Sequence, residues 1–320
     1  MIGLFDSGVG GLSVLREVRA ALPNVPLLYF GDSAHVPYGP RPLREVQGFA
    51  RGITRFLRAR GARVIVAACN TASAAALQSL REAPEFDGVP FVGMEPAVKP
   101  AAETTHSGVV GVLATPATFQ GALYASVVER FAAGVTVLQQ TCPGLVQEIE
   151  AGRLDTPETE TMLRGWVEPM LAQQVDTLVL GCTHYPFVIP LLERICGLGV
   201  RVIDPAPAVA RQVVRVYEVA TTDDRRPTAD DERRTPIRGQ ATKDERRKTK
   251  DDERRNTKDE RREPTTDDRR PTTEGGRQLH RVVYYTSGAV ESFSRMVGVL
   301  GVEPGEVRGA VWRDDTLSQG

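Results

Sequence analysis

Two cysteines, Cys69 and Cys182, stand where each could act as an acid or a base. Each follows a short apolar run and precedes polar residues, in VIVAACNT for the first and TLVLGCTH for the second. Such runs predict buried strands, and the stretches after them predict helices. We therefore expect each thiol at the end of a strand and the start of a helix, where the helix dipole lowers the pKa of a thiol.

Other roles for the cysteines are open at this stage. Each could be a small buried apolar side chain. A zinc site made of Cys69, Cys182 and His184 is a second alternative, although the chain lacks paired ligand spacing and a fourth candidate. We assign Cys142 to packing near the site and Cys196 to the core.

Two acid/base groups on opposite faces of a substrate suit the inversion of a stereocentre. One group removes a proton from one face while the other supplies a proton to the opposite face, and thiol and thiolate can exchange these roles. Only Lys99 among the lysines lies outside residues 221–280, so Schiff-base chemistry has almost no candidate. The carbanion would then depend on hydrogen bonds from the site itself.

The elements that position these groups alternate along the chain. Apolar runs rich in Val and Ile alternate with amphipathic stretches, which predicts an α/β fold with parallel sheets covered on both faces. The runs also repeat after about 110 residues: MIGLFD corresponds to VVGVLAT, LLYFGD to VLQQTC, VIVAACNT to TLVLGCTH, and VPFVGMEPAV to VRVIDPAPAV. We expect two similar α/β domains related by a pseudo-two-fold, formed by 1–98 plus 281–310 and by 99–210.

Polar residues stand at the predicted strand ends, where ligands bind in open parallel sheets. They are Asp6-Ser7, Asp32-Ser33, Cys69-Asn70-Thr71, Thr115 and Cys182-Thr183-His184. If the two halves face each other, these groups form one active site in the cleft between them. Plainer roles are open as well: Asp6 as an N-cap, Tyr38 in turn packing, His184 as a structural residue, and DSGVGG as a loose phosphate loop.

Length and composition exclude several classes of protein. The chain has 320 residues, 41% of them hydrophobic, which suits one large or two medium domains. A net charge of −1 gives no field that would attract nucleic acid or an anionic membrane. No apolar run approaches the ~20 residues of a membrane span, and the N-terminus has no basic signal region, so we expect a cytoplasmic protein.

Residues 221–280 break the globular pattern. They hold 18 Lys+Arg and 16 Asp+Glu, repeat the unit DERR, and contain Ile237 as their only large aliphatic residue before Leu279. Burial cannot offset the entropy of ordering such a segment, which predicts a disordered, repeat-expanded insertion. A solvated helix and a partner-docking arm are the alternatives. The strand and helix predicted after it should return to the first half.

Four stretches resemble the signature motifs of glutamate racemases, in the aspartate/glutamate racemase superfamily. They are DSGVGGL at 6–12, GDSAHVPYG at 31–39, AACNTA at 67–72 and GCTHYP at 181–186. The resemblance covers nearly the whole chain except 221–280. It implies an isomerase that interconverts L- and D-glutamate without a cofactor or metal. It also implies a product, D-glutamate, that serves peptidoglycan biosynthesis and therefore cell wall biogenesis and cell shape.

The resemblance also implies roles for individual residues. Cys69 and Cys182 are the two acid/base residues, acting on the D- and the L-enantiomer respectively. Asp6 and His184 assist the first and the second thiol. Glu150 matches a further assisting carboxylate, with Glu148 as the alternative. The implied substrate-binding residues are Asp6, Ser7, Tyr38, Gly39, Asn70, Thr71, Thr183 and His184.

Rival functions stay open beside this one. A related amino-acid racemase, acting on aspartate, or a hydantoin racemase would use the same scaffold. A binding protein that docks a partner through its insertion is the alternative from another class. We expect the chain to form a homodimer and to bind the small molecule glutamate. We do not expect it to bind a membrane or nucleic acid.

Overall fold

The fold is built on two sheets, within the residues that the computed structural model describes, namely 1–222, 282–314 and 316–320. The strands of the first sheet are β1 (Ile2–Asp6), β2 (Leu27–Gly31), β3 (Val64–Ala67), β4 (Phe91–Val92), β9 (Val282–Thr286), β10 (Glu306–Arg313) and β11 (Thr316–Gln319). Their order in space is β11-β10-β9-β2-β1-β3-β4. All neighbouring pairs are parallel except β10 and β11.

The second sheet repeats part of the first. Its strands are β5 (Val109–Ala114), β6 (Thr136–Thr141), β7 (Thr177–Gly181) and β8 (Arg201–Ile203), all parallel. Their order, β6-β5-β7-β8, is that of β2-β1-β3-β4 in the first sheet. Each sheet therefore places its first strand between its second and third. This finding confirms the predicted α/β fold with two similar parallel sheets.

Helices cover the faces of both sheets. A stripe of apolar residues at helical spacing, Val46, Ala50 and Ile53, buries one side of the second helix, which packs in the same apolar cluster as β3. The helices are α1 (Leu12–Ala21), α2 (Leu43–Ala59), α3 (Asn70–Glu82), α4 (Val98–Thr104), α5 (Pro116–Gln120), α6 (Ala122–Phe131), α7 (Leu145–Glu150), α8 (Pro157–Leu171), α9 (Ile189–Cys196), α10 (Ala206–Thr222) and α11 (Val290–Val299). Short 3-10 turns occupy Pro84–Phe86 and Tyr185–Val188.

The chain crosses back to the first sheet through α10. This helix follows β8, yet its buried Val209 and Val213 belong to the apolar cluster of the first sheet, together with Leu12 of α1. Farther along, β9 pairs in parallel with β2, with Val282 opposite Leu27. The predicted insertion lies outside the described residues, except for its first two positions, which end α10.

Among the described residues, no helix combines the length and apolarity that crossing a membrane requires.

Candidate active site

The carboxyl ends of β1, β3, β5 and β7 supply most of the walls of one pocket. First-sheet residues and second-sheet residues both line it, in agreement with the rule that ligand sites in parallel sheets lie beyond the strand ends. The lining residues are Ser7, Pro37, Tyr38, Gly39, Cys69, Asn70, Thr71, Thr115, Val146, Cys182, Thr183 and His184. The pocket therefore gathers both thiols and all the predicted substrate-binding residues except Asp6.

The two thiols enter the pocket from different local structures. Cys69 is the N-cap of α3, and its Sγ accepts a hydrogen bond from the Ala72 N–H at 3.4 Å. Cys182 follows β7, and the element after it is a 3-10 turn. The helix that we predicted directly after this thiol is therefore not an α-helix. Proline explains the difference: Pro190 fits only the first turn of an α-helix, and α9 accordingly begins at Ile189.

Burial works against ionisation of Cys69. It raises the pKa of this thiol well above the usual range, and the nearby Asp6 carboxylate raises it further. Hydrogen bonds from the N–H groups of Ala72 and Ser7 oppose that rise. The predicted lowering by the helix end was therefore wrong for Cys69, because desolvation of a thiol that is 5% exposed outweighs the dipole.

Asp6 lies behind the pocket wall and joins the two halves. It is fully buried, its Oδ1 accepts the Gly8 N–H at 2.8 Å, and its Oδ2 accepts the Thr183 hydroxyl at 3.0 Å. Burial raises the pKa of Asp6, while the positive charge of His184 lowers it in part. The N-cap alternative for Asp6 fails, because α1 begins at Leu12 without a side-chain cap.

A histidine–carboxylate pair stands beside the second thiol. His184 Nδ1 lies 3.8 Å from the Cys182 Sγ, and its Nε2 lies 2.6 Å from Glu150 Oε1. Burial alone would lower the pKa of His184, but the hydrogen bonds with Cys182 and Glu150 raise it well above its usual value. The imidazolium form of His184 therefore prevails at neutral pH, beside the second thiol.

The structure separates the two candidate carboxylates of α7. Glu150 Oε1 contacts His184 and also accepts the Val9 N–H at 2.9 Å. Glu148 instead pairs with Arg153 at 2.6 Å on the outer surface. Side chains two residues apart on a helix point to nearly opposite faces, so only Glu150 faces His184.

The side chain of Asn70 lines the pocket without a partner among the residues that the structure describes. It is 3% exposed, yet neither its Oδ1 nor its Nδ2 has a hydrogen-bond partner there. A buried amide left unpaired costs about 1–3 kcal/mol, so its position in the pocket points to a polar ligand. The neighbouring Thr71 Oγ1 lies 2.9 Å from Thr115 Oγ1, across the two halves.

A buried carboxylate holds the pocket residue Tyr38 in place. The Tyr38 hydroxyl donates to Asp32 Oδ2 at 2.6 Å, and both residues are buried. Next to it, Gly39 passes so close to Thr115 that a Cβ at position 39 would lie 2.9 Å from the threonine Cβ. Tyr38 thus combines the predicted turn packing with a place in the pocket lining.

Comparison with known proteins identifies the family. The family model described as Asp/Glu/Hydantoin racemase matches residues 10–213. The chain belongs to the Asp/Glu/Hydantoin racemase family. It is 55% identical over 217 residues to the glutamate racemase of Roseiflexus sp. (strain RS-1). The aligned residues make up 68% of this chain and 79% of that relative. The glutamate racemase of Stutzerimonas stutzeri (strain A1501) is likewise 55% identical, over 66% of this chain and 80% of its own.

Solved structures of glutamate racemases share the fold. The Thermus thermophilus enzyme, in complex with beta-chloro-D-alanine, is 31% identical with a TM-score of 0.66, covering 97% of this chain and 96% of that one. The Escherichia coli enzyme, in complex with L-glutamate and the activator UDP-MurNAc-ala, is 26% identical with a TM-score of 0.69 over 96% and 97% of the two chains. The present protein is therefore an isomerase of the amino-acid racemase class.

Some residues of the racemase pocket are not among those that the sequence predicts. Pro37 and Val146 line it as well. Pro37 belongs to the stretch GDSAHVPYG, which is the signal that could have added it, whereas Val146 offers no such signal because it lies on α7. Thr115, one of the polar residues at the predicted strand ends, also lines the pocket. Cys142 is buried beside the site, and burial raises its pKa to about 12. Cys196, expected in the core, is only partly buried at the end of α9.

The zinc alternative finds no support in the geometry. Across the parts of the chain that the structure describes, no three His, Cys, Asp or Glu side chains converge in a way that could hold a metal ion.

Proposed function

We propose that this racemase interconverts L- and D-glutamate by a two-thiol acid/base mechanism that needs no cofactor. The observation that carries the proposal is that two buried cysteines, at equivalent strand ends of a duplicated fold, line one pocket. Glutamate as the substrate is supported by the names of the relatives at 55% identity and by the L-glutamate bound to the Escherichia coli enzyme.

Each thiol carries one proton transfer in each direction. Starting from L-glutamate, a thiolate at Cys182, 3.8 Å from His184 Nδ1, takes the α-proton, and the Cys69 thiol gives its proton to the opposite face. The reverse reaction starts from a Cys69 thiolate and a Cys182 thiol, so each turnover exchanges the two protonation states. The raised pKa of Cys69 suits its role as the acid in the first direction.

Substrate binding falls to the polar lining. The unpartnered amide of Asn70 can both donate and accept a hydrogen bond, which fits an α-amino acid with a carboxylate and an ammonium group. Hydroxyl groups of Ser7, Thr71 and Thr183 line the same pocket and can stabilise charge that develops on the α-carboxylate.

The position of Lys99 supports a mechanism that does not use pyridoxal phosphate. Lys99 is the one lysine among the described residues. Its side chain is 53% exposed on α4, 3.9 Å from Glu103, and it does not line the pocket. Within the part of the chain that the structure describes, a Schiff base with a cofactor in this pocket therefore has no lysine amine to form on.

The decisive experiment measures exchange of the α-proton of L- and D-glutamate in deuterated water without added cofactor. We expect exchange and racemisation from both enantiomers, with aspartate and a hydantoin as the competing substrates. Preference for either competitor would assign the chain to a related racemase. Loss of activity with a chelator, or an absorbance of bound pyridoxal that tracks activity, would contradict the mechanism.

The resemblance to glutamate racemases also supports a proposal about where the protein acts, how it assembles and what its product is used for. We infer a cytoplasmic homodimer that supplies D-glutamate for peptidoglycan, with domains at 1–98 plus 281–310 and at 99–210. Dependence of a gene-deletion strain on external D-glutamate tests the pathway role, and sedimentation equilibrium tests the dimer. A binding protein that docks through its insertion would instead show partner binding and no turnover.

A further inference from the structure

A buried tyrosine outside the pocket lining contacts the loop that carries Asp6. Tyr29 lies in the middle of β2, has no exposed surface, and is not part of any motif in the proposed reaction. Its hydroxyl donates a hydrogen bond to the Gly8 carbonyl at 2.8 Å. Burial and the nearby Asp6 carboxylate raise the pKa of Tyr29 well above its usual value, so the group stays a donor.

The Gly8–Val9 peptides stand between two carboxylates that assist the two thiols. The Gly8 N–H donates to Asp6 Oδ1 at 2.8 Å, on the side of Cys69. The Val9 N–H donates to Glu150 Oε1 at 2.9 Å, and this same oxygen lies 2.6 Å from His184 Nε2. One stretch of backbone therefore connects to the acid/base groups on both sides of the pocket.

Packing leaves this stretch little room on either side. A Cβ at Gly8 would lie 2.0 Å from Glu150 Oε1, so the backbone approaches the carboxylate as only glycine allows. A Cβ at Gly31 would lie 2.9 Å from the Gly8 oxygen, so the carbonyl fits against β2 beside the tyrosine hydroxyl.

We propose that Tyr29 is a positioning residue for racemisation: its hydroxyl fixes the Gly8–Val9 peptides and thereby orients Asp6 and Glu150 together. The inference rests on the proposed function, since it assigns a purpose to the anchoring of those two carboxylates. Without the hydroxyl, the Gly8 carbonyl is left buried and unpaired, and the loop shifts to recover a partner. That shift moves an acid/base group on each side of the substrate.

The chain offers a matched control in Tyr284. It is also fully buried, its ring centroid lies 6.1 Å from that of Tyr29, and its hydroxyl donates to the Glu303 carbonyl at 2.6 Å. Tyr284→Phe therefore removes the same atom and the same kind of hydrogen bond from the same aromatic cluster, at a point that does not touch the loop.

The experiment compares wild type, Tyr29→Phe and Tyr284→Phe in both directions of glutamate racemisation, below the melting temperature of each protein. For Tyr29→Phe we expect kcat to fall between about 10- and 100-fold in both directions, because small displacements of catalytic groups are costly. KM should change by a smaller factor than kcat: Ser7 lies on the same loop, but the binding groups Asn70 and Thr71 lie on α3. Tyr284→Phe should keep the wild-type kcat.

Equal kcat values for the two variants would overturn the inference, since a structural role alone lowers the melting temperature and spares turnover of the folded enzyme. An inactive wild type would instead refute the proposed function, so the two failures are distinguishable.

A second pair of variants covers the case in which Tyr29→Phe does not fold. A Cβ at Gly31 would press on the Gly8 carbonyl but also lie 2.5 Å from the Phe293 ring. Phe293→Leu relieves the second clash, so Gly31→Ala in a Phe293→Leu background displaces the carbonyl while Tyr29 stays intact. A kcat loss of about tenfold against Phe293→Leu alone supports the inference. Equal kcat values overturn it.

Discussion

Burial pushes Asp6 and Cys69 toward their protonated forms, and this bears on both function and stability. A thiol that holds its proton is ready to act as the acid, and a carboxyl group beside it with a raised pKa can exchange a proton with it. The same burial makes an ionised Asp6 unfavourable in the folded state. An ionised Asp6 is therefore a charge that the fold would be more stable without.

Asp6→Asn should stabilise the protein at neutral pH while slowing racemisation. The folded-state pKa of Asp6 lies above the ordinary value of 3.8, so wild-type stability falls as the pH rises through the folded pKa. The amide avoids that loss and retains an acceptor for the Gly8 N–H. We expect a gain of roughly 0.5–2 kcal/mol at pH 7 that shrinks toward pH 4. Urea unfolding across this range measures it, and a variant that is less stable at pH 7 would contradict it.

The pKa of His184 is raised above its ordinary value of 6.5, against the effect of burial, by its hydrogen bonds with Cys182 and Glu150. Removing that carboxylate charge in Glu150→Gln takes away both a charge-assisted hydrogen bond and a Coulombic attraction, so the pKa of His184 should fall. NMR of labelled histidine measures it directly. Glu148→Gln is the matched control on the same helix, because Glu148 pairs with Arg153 and should leave the His184 titration unchanged. Equal shifts in the two variants would refute the pairing as the cause.

Cys69→Ser and Cys182→Ser should each nearly abolish racemisation. A hydroxyl is a far weaker acid than a thiol, so one face of the substrate loses its base. Each variant should still eliminate HX from a β-substituted glutamate of one hand, since that reaction needs proton removal on one face only. If both variants process the same enantiomer, the arrangement on opposite faces is wrong.

At the scale of elements, the strands could be predicted better than the turns and helices that come after them. Apolar runs and their spacing predict the strand ends that carry Cys69 and Cys182, because both depend on local pattern. The 3-10 turn after Cys182 depends on Pro190, whose effect on the helix start the pattern does not show. The choice between Glu148 and Glu150 depends on how α7 is rotated against the other half, which only tertiary packing decides.

The last strands of the first sheet reach toward the pocket wall. Trp312 of β10 donates its indole N–H to Asp32 Oδ1 at 2.8 Å, and the Ser287 hydroxyl after β9 donates to the same oxygen at 2.6 Å. Asp32 in turn accepts the hydroxyl of Tyr38. A segment that comes after residues 221–280 in the chain therefore helps to satisfy a buried carboxylate next to the substrate pocket.

Trp312→Phe should lower the free energy of unfolding by about 1–3 kcal/mol, because Asp32 loses a donor while remaining buried. The phenyl ring can keep the contacts with His35 and Phe49. Trp166→Phe is the control of equal size change, in a partly buried residue of the second half, and should cost less. Urea unfolding of both variants measures the difference. A larger loss of unfolding free energy for Trp166→Phe would show that ring packing, and not the hydrogen bond to Asp32, determines the stability change.

At the scale of the whole molecule, the pocket and the contacts between the two sheets share residues. Thr183 lines the pocket and donates to Asp6, and Thr71 lines it and meets Thr115 across the halves. The duplication could be predicted from the 110-residue spacing, since each half is a local pattern repeated. These cross-contacts could not, because they depend on how one half is oriented on the other.

The largest departure from this duplicated plan is the charged segment, and we expect it to be dispensable. Its predicted extent, 221–280, offers almost no apolar area to bury at ~25 cal/mol per Å², against an ordering cost of roughly 1–2 kcal/mol per residue. The elements on either side are complete without it: α10 packs through Val213, and β9 begins at Val282, which is 1% exposed and pairs with β2.

Replacing 223–276 with a short Gly/Ser linker should therefore leave melting temperature and turnover nearly unchanged. Loop-closure entropy grows slowly with length, so shortening the connection should gain no more than about 1 kcal/mol. Limited proteolysis of the full chain is the second measurement: trypsin should cut first within the Arg-rich repeats, since unfolded, exposed chain is its preferred substrate. The uncut first and second sheets should then keep their activity. Cleavage elsewhere before the repeats, or a collapse of turnover on replacement, would make the segment a structured part of the enzyme.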